Sequence, residues 1–119
     1  MLALAVKASG ETEVLEWNTN GGYEQLMSLI HEAVGQDWLD QFKFVEQVPG
    51  VERATYMVWC ADMAQDVDNP WATFHYGLKV GGTVVLTRLY GPETVGLSWE
   101  EINFFTAEAE AEAAAKAGV

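Results

Sequence analysis

The 119-residue sequence predicts one α+β domain, mainly an antiparallel sheet of about five strands with two longer helices and one short helix. Three observations lead to this fold class. Short runs of alternating apolar and polar residues are separated by turns that contain glycine or proline, as in hairpins. Two other segments carry helix signals, one in its apolar spacing and one in its capping residues. Neither an internal repeat nor a linker divides the chain, so one core is expected.

The first element is a hairpin, because apolar residues alternate on both sides of Ser9-Gly10, over residues 2–8 and 12–17. After the turn NTNGG, apolar residues recur at helical spacing from Tyr23 to Val34, which predicts the first longer helix. Gly35 follows at the position where a helix commonly ends in a left-handed conformation.

A strand pair follows the first helix. The Pro-Gly pair in Val48-Pro49-Gly50-Val51 suits a type II turn, so the flanking stretches DWLDQFKFVEQ and ERATYMVWCA are predicted to pair antiparallel. The second stretch is apolar on both faces, with Tyr56, Val58 and Cys60 on one and Met57 and Trp59 on the other. This pattern is typical of a central strand.

The stretch DNPWATFHYG predicts a short helix of about two turns. Asp68 or Asn69 suits the N-cap, Pro70 suits the first helical position, and Gly77 can end the helix. A strand over 83–90 follows, and Gly91-Pro92 stops it.

The last helix begins at SWEEINFF, where Ser98 and Glu101 form a capping box. Apolar residues up to residue 105 can dock this helix on the sheet, which places the domain at residues 1–106. Residues 107–119 are rich in alanine and glutamate, and they predict an acidic helical extension that adds little to the fold. Such an extension frays or points into solvent unless a second copy or a partner packs along its alanines.

Eighteen acidic residues against six basic ones give a formal net charge of −12. The basic residues are scattered rather than clustered, so we expect no direct binding of nucleic acid. A charged partner should be basic, and the same charge also favours solubility. Cys60 is the single cysteine, which favours a reducing compartment and predicts a cytoplasmic location. No uncharged apolar stretch of ~20 residues occurs, so we expect no membrane span.

No motif demands a particular chemistry. In HYGLKVGGT the lysine precedes the glycines, unlike in a phosphate-binding loop, and a calcium loop starting at Asp66 would have Trp71 where glycine is required. Cys60 could meet His31 or His75 in space, but a cysteine in an apolar strand usually behaves as a buried hydrophobe. The spacing of the two histidines indicates no metal site. We therefore predict no enzyme activity and no catalytic, metal or cofactor-binding residue.

The run NPWATFHYGLKVGGTVVLT, the preceding helix YEQLMSLIHEAVG and the following TVGLSWEEI carry a resemblance to a known family. They resemble small uncharacterised proteins of actinobacterial phages and plasmids, catalogued as a domain of unknown function. The shared pattern covers roughly 80% of the chain. The chain departs from it at Gly35-Gln36-Asp37-Trp38, where such proteins are usually glycine-rich. The resemblance implies a mobile-element accessory protein and carries over no functional residue.

Two classes of function stay open. The first is a non-enzymatic accessory protein, monomeric or weakly homo-oligomeric, that binds a basic or nucleic-acid-binding host protein through an acidic surface containing aromatic residues. An acidic mimic of DNA is a variant of this class. The second is a small ligand-binding module or enzyme with a pocket near residues 66–77. At least three of the five tryptophans are expected in the core. The candidates for an interaction surface are Trp38, Trp71, His75, Glu108, Glu110 and Glu112.

Overall fold

The computed structural model describes residues 1–18, 20–62 and 67–118. It contains six strands and three helices in this part of the chain. In chain order they are β1 (Leu2–Val6), β2 (Thr12–Glu16), α1 (Gly22–Val34), β3 (Leu39–Glu46), β4 (Ala54–Ala61), α2 (Pro70–Tyr76), β5 (Val84–Tyr90), β6 (Glu93–Val95) and α3 (Trp99–Ala117). The predicted α+β class and the three predicted helices are confirmed. None of the described helices is both long and apolar enough to cross a lipid bilayer.

The strands form one antiparallel sheet in the order β2, β1, β5, β4 and β3. The hairpin of β1 and β2 and the pairing of β3 with β4 are confirmed, and β4 is central as its two apolar faces predict. The short strand β6 was not predicted. The chain turns at Gly91, which has a φ of +60°, and β6 pairs with the second half of β5, whereas β1 pairs with the first half.

Helices cover both faces of the sheet. On one side, here called the α1 face, the strands direct Ala3, Ala5, Met57, Trp59 and Val85 toward Leu26 and Ile30 of α1. On the other side, the α2–α3 face, a larger apolar cluster packs against both other helices; it includes Leu4, Val6, Tyr56, Val58, Leu86, Trp71 and Phe105. Neighbours along β4 point to opposite faces, as its sequence predicts. The domain therefore has two cores separated by the sheet.

The ends of the helices follow the capping signals in the sequence. Gly35 and Gly77 end α1 and α2 in the left-handed conformation, with φ of 81° and 84°. Asn69, rather than Asp68, caps α2 by accepting a hydrogen bond from Ala72 N. At α3, Ser98 and Glu101 form the predicted capping box.

Helix α3 packs against the domain beyond Thr106. Ala109 is completely buried, and Glu108 bonds to side chains of α2. The turn between β1 and β2 approaches the helix so closely that a Cβ on Gly10 would lie 2.4 Å from the Cβ of Ala113. The alanines therefore make room for this turn, and residue 106 does not mark a break in the packing. The sequence-based view of residues 107–119 as an extension with few anchors missed this close approach.

A buried carboxylate joins α3 to the sheet. Glu101 is completely buried and accepts a hydrogen bond from the hydroxyl of Tyr56. Its Oε1 lies 3.4 Å from Nη1 of Arg88. Burial, and then the bond to Glu101, raises the pKa of the Tyr56 hydroxyl above its usual range. Arg88 and the Tyr56 hydroxyl both contact the Glu101 carboxylate, and these contacts offset the free-energy cost of burying it.

Candidate functional site

An open groove with a largely apolar lining lies on the α1 face beside the N-terminal end of α1. Its walls come from seven elements or their ends, and its volume is about 600 Å³. We call it the α1 groove; its apolar lining includes Trp17, Tyr23, Leu26, Met57, Trp59 and Leu89. The groove forms because α1 packs over β4 and β5 and leaves most of β3 uncovered on this face. Gln41 of β3, which also lines the groove, is accordingly exposed.

The floor of the α1 groove is held in place by hydrogen bonds. The indole N–H of Trp59 donates to Oγ1 of Thr87 at 3.1 Å, and the Thr87 hydroxyl donates to the carbonyl of Met57 at 3.3 Å. Trp17 exchanges backbone hydrogen bonds with Met1. Both tryptophans are buried, whereas Tyr23 at the rim is 58% exposed. The groove therefore combines a fixed aromatic floor with an accessible rim.

Carboxylates lie in and beside the α1 groove. Glu93 of β6 lines it directly, and Glu16 lines an adjoining cavity that shares Met1 and Trp17 with it. An apolar depression with an acidic border is suited to an apolar group that is flanked by positive charge.

Residues 67–77, the described part of the segment near which a pocket was predicted, are organised around Asn69. This side chain is completely buried; besides capping α2, its Nδ2 donates to the carbonyls of Val6 at 3.0 Å and Gly82 at 2.9 Å. It thereby fastens α2 to β1 and to the turn before β5. All of its polar atoms are used in this structural role.

A cavity of about 560 Å³ does lie at the start of this segment, bordered by Asp68, Lys79 and Lys116. Lys116 Nζ donates to Asp68 at 2.8 Å, and this bond lowers the pKa of the Asp68 carboxyl. His75 is not among the described residues that line this cavity, and Asp66 lies outside the described residues. The lysines belong to exposed ion pairs, which contribute little on their own.

The side chains of His75 and Trp71 extend from α2 and contact α3 and β3. The His75 ring stacks on Phe44 with 4.0 Å between centroids, and its Nε2 pairs with Glu108. The same carboxylate accepts a hydrogen bond from the Trp71 indole N–H at 2.9 Å. The side chain of His75 is only 8% exposed, so this cluster connects α2 to α3 rather than facing solvent.

Cys60, considered above as a possible nucleophile, lies in an environment that disfavours the reactive thiolate. Cys60 is buried, and burial raises the pKa of its thiol to about 11, so it stays protonated at neutral pH. His31 belongs to α1, on the opposite side of the sheet, and its Nδ1 lies 3.0 Å from the carbonyl of Gln36. In the described part of the chain, no three His, Cys, Asp or Glu side chains are grouped so that they could bind a metal ion.

The six candidate interaction residues do not form one surface. Trp38 is 73% exposed before β3, and Glu110 is exposed on α3. Trp71 is completely buried, His75 and Glu108 bond to each other beside it, and Glu112 is half-buried. Trp71 is therefore a core residue and not a surface anchor. With Trp17 and Trp59 also buried, three of the five tryptophans belong to the core, as expected.

Sequence reasoning missed the α1 groove because its walls are distant along the chain. The available signal was the apolar character of both faces of β4, which requires cover on the side of Met57 and Trp59. One helix of 13 residues supplies that cover. Comparison with family models, curated proteins and solved structures found no match for this chain.

Proposed function

We propose that this chain is a non-enzymatic binding domain that captures a protein partner in the α1 groove. The observation that carries the proposal is the groove itself, whose lining combines the buried indoles of Trp17 and Trp59 with the exposed ring of Tyr23. Aromatic side chains in a partly buried depression are the usual anchors of protein interfaces. A partner would insert one apolar side chain between them.

The charge of the domain supports a basic partner. Glu93 lines the groove, Glu16 lines the adjoining cavity, and the whole chain carries −12. Lysines or arginines flanking the inserted side chain would complement this border and speed association at low salt. We extend the proposal to a phage or plasmid accessory protein whose partner lies in the host cytoplasm, including a basic protein that itself binds nucleic acid.

The test is capture from host lysate by the immobilised protein, followed by a measured affinity for the purified partner. Tyr23→Ala removes the exposed ring at the rim and should weaken binding about tenfold, the loss of one moderate interface anchor. Tyr90→Ala is the matched control, because Tyr90 is 74% exposed and is not a lining residue of the groove. Binding should also weaken as salt rises and should change the fluorescence of the groove tryptophans. Equal affinity of the two variants would contradict the proposal.

The volume of the groove favours a second candidate, a small apolar ligand. About 600 Å³ lies within the range of small-molecule pockets, and most of the lining is apolar. The probe would be indole, a planar apolar molecule, in a thermal-shift titration of the wild type and Tyr23→Ala. A saturable stabilisation that depends on Tyr23 would support this candidate, and its absence would leave the protein partner as the occupant.

A further inference from the structure

Strand β3 leaves its outer edge open within the described part of the chain. This eight-residue strand ends the sheet, and no described strand pairs with its outer side. Asp62 N donates to the carbonyl of Trp38, so the even-numbered residues of β3 direct their backbone groups toward β4. The odd-numbered residues therefore direct theirs outward; these are Leu39, Gln41, Lys43 and Val45.

Exposed apolar side chains surround this edge. Trp38 is 73% exposed at its beginning and Val45 is 50% exposed near its end. On the α2–α3 face, Tyr76 stacks on Phe42 with 4.7 Å between ring centroids, and it is 47% exposed. A long edge strand bordered by large apolar groups is a template for pairing with another chain.

We infer that a second copy of this chain pairs with β3 edge to edge, antiparallel, about a two-fold axis at Phe42. This register places Leu39 opposite Val45 and Gln41 opposite Lys43, so outward backbone groups meet outward backbone groups. Phe42 lies opposite its own copy, which brings the two Tyr76 rings toward each other on the same face. A register centred on Lys43 would instead oppose two lysines and would set Asp40 against Glu46, which is unfavourable.

The pattern of the strand favours a second copy over an unrelated chain. A two-fold interface must be self-complementary, and the register at Phe42 pairs Leu39 with Val45 and Gln41 with Lys43 and opposes no like charges. At two further positions it sets an acidic residue against an aromatic one, Asp40 against Phe44 and Glu46 against Trp38. Each copy carries −12, so the two molecules repel and added salt should strengthen the pairing. A basic foreign strand would show the opposite salt dependence, which separates the two occupants.

Asp40 restrains the pairing. Its Oδ1 accepts a hydrogen bond from the outward N–H of Gln41 at 2.8 Å, the same group that a second copy would need. A charged side chain on an edge strand is a common protection against pairing. Replacing Asp40 by alanine frees this N–H and removes one negative charge from each side of the interface.

The experiment is sedimentation equilibrium of the full chain at ~0.05 M and ~0.5 M salt, because screening rises strongly over this range. We expect a dimer that tightens with salt and tightens further in Asp40→Ala. Lys43→Pro removes an outward N–H that β4 does not use, and it should raise the dimer dissociation constant by about tenfold or more. Lys43→Ala is the matched control, because it loses the same side chain and keeps the N–H.

The register is tested independently by cross-linking, which does not depend on the proline variant folding. Residues 41 and 43 of the two copies lie ~5.5 Å apart between Cα atoms in a hydrogen-bonded pair. A mixture of Gln41→Cys and Lys43→Cys proteins should therefore cross-link, whereas a mixture of Gln41→Cys with Glu16→Cys, on the opposite edge, should not. A monomer at every salt concentration, also for Asp40→Ala, would overturn the inference. So would a dimer in which the Gln41→Cys and Lys43→Cys proteins do not cross-link.

Discussion

Replacing Asn69 tests whether the segment 66–77 serves the fold. Alanine at this position removes one helix cap and two donor bonds to the carbonyls of Val6 and Gly82. A cap contributes ~1 kcal/mol and each donor bond about as much, so the free energy of unfolding should fall by about 3 kcal/mol. For a domain of this size the melting temperature should fall by roughly 12 °C.

The assay is urea denaturation, with Asn69→Ser as an intermediate variant, since serine keeps the cap and loses both donor bonds. Its cost should be about 2 kcal/mol. Asp68→Ala is the matched control; the Asp68 carboxylate forms exposed ion pairs with Lys79 and Lys116, and its replacement should cost much less stability than that of Asn69. A loss at Asn69 no larger than that at Asp68 would refute this assignment of roles.

Three further predictions concern α3 and the buried tyrosine. Truncation after Thr106 removes buried Ala109 and the shared acceptor of Trp71 and His75, so thermal melting should report a loss of about 3 kcal/mol or more. A shift of only a few degrees would restore the view of a dispensable tail. Glu108→Gln should cost ~1–2 kcal/mol, whereas Glu110→Gln, on the exposed side of the same helix, should cost less than ~0.5 kcal/mol. The raised pKa of Tyr56 stabilises the fold fully below pH ~10, where the unfolded phenol is still protonated, and this contribution is lost as the pH rises further. Above pH ~10 the free energy of unfolding should therefore fall less steeply with pH in Tyr56→Phe than in the wild type. Identical dependence on pH in the two proteins would contradict this reasoning.

Local signals in the sequence predict much of this fold. The caps at Asn69 and Ser98 and the turn at Pro49-Gly50 depend on a few neighbouring residues, and the structure confirms them. The strand β6 was missed because Gly91-Pro92 resembles a stop, although here it reverses the chain. Residues that depend on distant neighbours could not be placed from the sequence.

The burial of Trp71 and the packing of α3 show why. Trp71 lies on a helix of seven residues, too short for its spacing to distinguish a buried from an exposed side, and its polar partner is Glu108, 37 positions away. The alanines of α3 bury little area, so they predict a weakly anchored helix. Their small side chains matter because Gly10, which is distant in the sequence, approaches α3 closely at Ala113. The α1 groove is likewise assembled from separate elements.

The pairing of β1 with β5 has a consequence for synthesis on the ribosome. Leu4 lies opposite Leu86, and the core that β1 faces is completed by Ile102, Phe105 and Ala109 of α3. At typical rates of translation, roughly ten seconds separate the appearance of the two strands. Throughout this interval the first hairpin has no sheet to join, and its apolar residues stay open to other chains. Folding of the domain must therefore await the release of β5 and α3, so products that terminate before them should aggregate rather than fold in part.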